Sequence, residues 1–195
     1  ASKYQTTPNE FTKWTNQPFT VTPHAEDPYK NGINTDIKDI EYAYYKVGST
    51  MPATKDGLGV DIDVNTNGEW LLYISATDTA GNTSEKEFGP FRFNNIKPGT
   101  PIIKLSNEGW TNQDVNAMIT APSSIISGLN RIEYRLNQKD SWTKYTGEFK
   151  VTSYCTIETR LLDNSGNYSD IATKTIYIDR NKPTFNTDKI EDSIV

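Results

Sequence analysis

Cysteine and histidine are nearly missing from this 195-residue chain: it has one of each. A single Cys cannot close an internal disulfide, and a single His cannot build a multi-histidine metal site. A disulfide-stapled scaffold and a zinc module are therefore excluded, and no Ser/His/Asp or Cys/His motif suggests a nucleophilic centre. Basic excess is also absent. Lys and Arg number 20 against 25 Asp and Glu, a net charge of −5, whereas nucleic-acid binding needs a basic footprint. No apolar run approaches the roughly 18 residues of a membrane span, and the start at Ala1 shows neither a charged nor an apolar leader region. The expectation is a soluble chain with no membrane insertion, no nucleic acid and no cofactor.

What the sequence does have is rings. Trp (4), Tyr (11) and Phe (7) supply about a third of its hydrophobic residues, a strand-former's composition. It also repeats itself. WTNQ at Trp14 to Gln17 returns at Trp110 to Gln113, 96 positions on; IEY at Ile40 returns at Ile132, 92 on; DTAGNTS at Asp78 returns as DNSGNYS at Asp163, 85 on. Order is kept while the offset falls, so the first copy has the longer loops, in HAEDPYKNGINTDIKD and around TKDGLGVDIDVNTNG. KPTF at Lys182 resembles the KPGTPII that opens the second copy at Lys97. The expected division is residues 1–97 for a first domain, 98–182 for a second, and 183–195 for a tail or the start of a third repeat.

Within each copy the apolar period is two. Trp70, Leu72, Ile74 and Ala76 alternate with polar or outward residues, and Cys155, Ile157, Thr159 and Leu161 match them. Ile40, Tyr42 and Tyr44 pair with Ile132, Tyr134 and Leu136; Phe91 and Phe93 pair with Ile176 and Ile178. Turn signals such as Asn31-Gly32, Asp56-Gly57, Asn67-Gly68 and Gly81-Asn82 interrupt the pattern about every ten residues. About seven short strands per copy reads as a β-sandwich, and the expected fold is all-β with two sandwiches in tandem.

D-x-x-G-N-x-S follows one strand and precedes another, so Asp78 and Asp163 should cap backbone N–H groups while Gly81 and Gly166 take positive φ. The alternative is calcium, for which Asp61, Asp63, Asp78 and Asp163 are the available carboxylates; the spacing lacks the ladder of an EF-hand loop, which favours the turn. His24, beside Glu26 and Asp27, reads as part of a solvated acidic loop, and so does Asp56. Cys155 reads as a small core residue. Trp14 and Trp110 recur at one position and read as packing at a sandwich edge, with an aromatic platform as the alternative. Trp142 and Tyr145, in DSWTKYTG, have no evident counterparts in the first copy. They are the residues to test for ligand stacking, against a half-buried strand pair as the plainer reading.

The strand ending ATDTAGNTS (Ala76 to Ser84), the opening KPGTP (Lys97 to Pro101) and the WTN of Trp14 and Trp110 resemble the bacterial Ig-like domains of cell-surface and secreted proteins. Fibronectin type III domains share the strand and turn, which leaves two strand orders open. The resemblance implies a non-catalytic extracellular region, secreted or attached to the bacterial cell wall, serving as a stalk or spacer. Its partners would be neighbouring repeats of the same chain, and a host or matrix protein or cell-surface glycan if the region is an adhesin or carbohydrate-binding module. An accessory region of a secreted hydrolase is the further alternative.

Overall fold

The computed structural model describes residues 12–27, 36–138 and 141–185. They form thirteen strands: β1 (Phe19–Val21), β2 (Ile37–Lys46), β3 (Lys55–Asp56), β4 (Ile62–Val64), β5 (Gly68–Asp78), β6 (Thr83–Phe93), β7 (Ile102–Leu105), β8 (Val115–Thr120), β9 (Leu129–Leu136), β10 (Thr143–Lys144), β11 (Phe149–Val151), β12 (Cys155–Asp163) and β13 (Ala172–Ile176). The pairings β1–β4, β2–β3, β2–β5, β5–β6, β7–β8, β8–β11, β9–β10 and β12–β13 are antiparallel. No helix among the described residues is long and apolar enough to cross a membrane. The expected turn at Asn31-Gly32 and residues 186–195 of the expected tail lie outside the described residues.

Sheet order repeats as the sequence does. The first half of the chain builds β3-β2-β5-β6 and β1-β4; the second builds β10-β9-β12-β13 and β11-β8-β7. Adding seven to each strand number of the first half gives its partner in the second. The fourth strand of the second half, β10, lies beside the third, β9, and not in the sheet of β7, β8 and β11. That departs from the constant-type Ig order, in which strand D joins A, B and E.

Cores form where the period-two faces meet. In one, Phe19 and Val21 of β1 with Ile62 and Val64 of β4 pack on Ile40, Leu72, Ile74, Ala76, Phe91 and Phe93 of the larger sheet. In the other, Ile103, Val115, Ala117 and Val151 meet Cys155, Ile157, Ile176 and Ile178. The alternation expected for both copies thus sets which side chains leave water, each fully buried aliphatic or aromatic contributing roughly 1.5–3 kcal/mol. Cys155 is buried among them as a free thiol, and burial pushes its pKa up.

By contacts, one compact unit comprises Ala1–Gly99 with Pro122–Arg131 and Leu161–Asp170; the other comprises Thr100–Ala121, Ile132–Arg160 and Ile171–Val195.

Candidate functional site

The two D-x-x-G-N turns share one geometry. Asn82 donates its backbone N–H to Asp78 Oδ1 (2.8 Å) and its Nδ2 to Asp78 Oδ2 (2.8 Å). Asn167 does the same to Asp163, at 2.8 and 2.9 Å. Gly81 and Gly166 have φ of +91° and +93°, so the turn needs glycine there. Asp163, only 1% exposed, also accepts Ser165 N–H (3.0 Å) and Asn94 Nδ2 (3.0 Å). Its four N–H donors occupy both oxygens. Asn167 Nδ2 further reaches Asn94 O (2.9 Å), and Asn16 Nδ2 donates to Asn167 Oδ1 (3.2 Å). All of these residues belong to the first compact unit.

The recurring WTNQ has a bonding reason as well. Thr15 gives its N–H to Arg92 O (3.2 Å) and accepts Asn94 N–H (2.9 Å), and its hydroxyl caps Gln17 N–H (3.0 Å). Thr111 gives its N–H to Tyr177 O (3.0 Å), accepts Asp179 N–H (3.0 Å) and caps Gln113 N–H (3.0 Å). Each copy thus fixes its last strand with the same short bridge.

Other candidate residues are dispersed. Asp61, just before β4, and Asp63, within it, are exposed; Thr22 Oγ1 donates to Asp61 (2.6 Å) and Thr20 Oγ1 to Asp63 (3.1 Å). Asp56 caps Leu58 N–H (3.0 Å), and His24 pairs with Glu26 at 3.1 Å on the surface. His24 also borders a cleft of about 140 Å³ floored by Val21, Leu72, Ile74 and Phe91. Among the described residues, no group of three His, Cys, Asp or Glu side chains is placed to hold a metal ion.

Trp142 and Tyr145 sit next to β10 but face different surroundings. Arg135 and Arg160 lie over the Trp142 ring, at 4.6 and 4.2 Å from its centroid. The two guanidiniums are in turn held by buried Glu158 (2.6 Å) and Glu133 (2.8 Å) on the outer face of β9 and β12. Tyr145 packs edge-on to Tyr134 and Phe149, and its hydroxyl accepts Ile119 N–H (3.1 Å). Its counterpart in the first copy is Gly57: Gly57 N–H bonds Ile40 O as Tyr145 N–H bonds Ile132 O. A Cβ at Gly57 would stand 3.0 Å from the Tyr42 ring, so the first copy has no room there for a side chain without a shift of that ring.

A three-ring cluster that the sequence reading left unassembled lies in the second unit. Trp110 is 68% exposed, Tyr154 55% and Tyr177 37%. Trp110 lies 6.2 Å from Tyr154 with their planes 20° apart and 5.2 Å from Tyr177, and Tyr154 and Tyr177 meet edge-on at 6.0 Å. The signal was available: aligning the copies at an offset of 85 places Tyr154 opposite Glu69 and Tyr177 opposite Arg92. In the same unit, Asp114 is held below the usual carboxylate range by the hydrogen bond from Arg180, with Lys150 3.5 Å away.

No protein-family profile and no curated protein matches the chain. Among solved structures it is similar to the fibronectin(III)-like modules of Clostridium thermocellum CbhA, at 13% identity over 89% of this chain and 93% of that one, with a TM-score of 0.40. Murine CEACAM1b matches at 10% identity over 87% and 96%, with a TM-score of 0.43. No residue role passes from either to this chain. What stands on the strand pairings themselves is an all-β sandwich architecture.

Proposed function

We propose that this chain is a non-catalytic repeat region of a bacterial surface or secreted protein, two sandwiches in tandem divided near residue 97, acting as a stalk or spacer outside the cell. The observation that supports it is the duplicated bridge. Thr15 with Phe93 and Thr111 with Ile178 close their strands by the same parallel pairing, and Asn94 and Asp179 then cap the backbone two residues on, at 3.1 and 2.8 Å. A chain that leaves each copy by the same route can be extended by adding copies, which is what a spacer requires.

Rigidity has a source in the same region. Pro98 and Pro101 restrict the backbone where the second copy begins, which suits a semi-rigid stalk. The test is replacement within the parent protein by an unrelated pair of β-sandwiches of similar length. Retained surface display and parent activity supports a spacer; loss of parent activity despite normal display overturns it. The adhesive alternative has one specific observation in its favour, the exposed three-ring cluster.

A further inference from the structure

We infer that Trp110, Tyr154 and Tyr177 form a binding platform for the pyranose rings of a neutral glycan, a function separate from that of a spacer. The argument begins inside the chain. The same three positions in the first copy hold Trp14, Glu69 and Arg92, and there Arg92 Nε donates to Glu69 Oε1 at 2.6 Å across paired strands. A sandwich of this design therefore closes with an ion pair at those two positions. The second copy has two tyrosines there, and the fold gives no reason for them: they stand out in solvent beside a Trp that is itself two-thirds exposed.

Geometry then narrows the ligand. Stacked rings touch at ~3.5–4.0 Å, so centroids 6.2 Å apart and planes 20° apart leave Trp110 and Tyr154 offset by about 5 Å, with much of each face uncovered. A flat apolar face rimmed by polar atoms is the pattern of a pyranose, whose C–H face stacks on a ring while its hydroxyls point outward. The cluster presents the complement. It contains only Trp and Tyr, so every ring has a donor at its edge, and among the described residues neither the Trp110 indole N–H nor the two phenol hydroxyls has a hydrogen-bond partner. The flanking Asn112, Gln113, Thr152 and Ser153 are exposed amides and hydroxyls, suited to sugar hydroxyls and bearing no charge.

The experiment is titration of the full chain with neutral hexasaccharides of β-1,4-glucose, α-1,4-glucose and β-1,4-N-acetylglucosamine, followed by calorimetry and by amide NMR shifts. The three arms separate plant, storage and cell-wall sources of the same chemistry. Saturable binding to at least one is expected, weakened at least tenfold by Trp110→Ala and by the double variant Tyr154→Glu/Tyr177→Arg, and changed less than twofold by Trp142→Ala. The double variant installs the first copy's ion pair, so its melting temperature should stay near that of the parent chain. No saturable binding to any of the three, or binding that survives the double variant, overturns the inference. So does concentration-dependent self-association abolished by the double variant without glycan binding, which would make the rings an interface between copies of this chain.

Discussion

Replacing Asp163 by Ala should cost far more than replacing Asp78, although the two occupy the same place in the same motif. Asp163 is buried and accepts four N–H groups, from Ser165, Asn94 and twice from Asn167. Removing it strands the buried Asn94 amide and the Asn167 backbone N–H, while Ser165 N–H keeps Ser127 Oγ at 3.2 Å, and each unsatisfied buried group costs about 1–3 kcal/mol. These terms share partners and do not add fully, so the expected loss is about 3–5 kcal/mol. Asp78 is also buried, at 8% exposed, but the donors of its turn both come from Asn82, which is exposed and can turn to water; the expected loss is about 1–2 kcal/mol. Urea denaturation of both variants, followed by circular dichroism, measures the difference. Losses equal within about 0.5 kcal/mol would refute the reasoning, because the Asn94 contact would then contribute nothing.

Three further outcomes follow from the packing. Ile157→Ala should cost about 2–5 kcal/mol and Ile157→Val about 0.5–1.5, since Ile157 is wholly buried between the sheets; equal losses in a denaturant series would place it outside the core. Gly89→Ala should cost about 1–3 kcal/mol, because φ is +120° and a Cβ would lie 2.7 Å from Trp70 O, and an unchanged melting temperature would show that the bulge between β5 and β6 is not as described. Cys155 should resist a thiol reagent in the native protein and react on unfolding. Its pKa is raised by burial, so its contribution to stability is full below the ordinary thiol range and is lost as pH rises through the raised value; a denaturation midpoint that rose with pH in that range on account of Cys155, judged against Cys155→Ala, would contradict the sign.

Period-two alternation made the inward faces legible. It identifies Leu72, Ile74 and Ala76, and at the matching places of the second copy Ile157 and Leu161, because a half-buried sheet imposes that pattern directly. The D-x-x-G-N turn was equally readable, since Asp capping and a positive-φ Gly are local requirements. Strand order was not: whether β10 joins β9 or the opposite sheet depends on the path of one short two-residue strand, which leaves no periodicity to read. Pairing at distance defeated the reading of the surface in the same way. Trp142 and Tyr145 are neighbours in sequence yet meet different partners, while Trp110, Tyr154 and Tyr177 are brought together only by the bridge from Thr111 to Ile178 and the pairing of β12 with β13.

Pulling the chain from its ends in a force-extension experiment tests the repeat architecture most directly. Two sandwiches of about 85–96 residues each predict two separate unfolding events per chain, each lengthening it by about 30 nm at ~3.3–3.6 Å per residue. A single event releasing the whole chain at once would contradict the account of two repeats that each hold their own core.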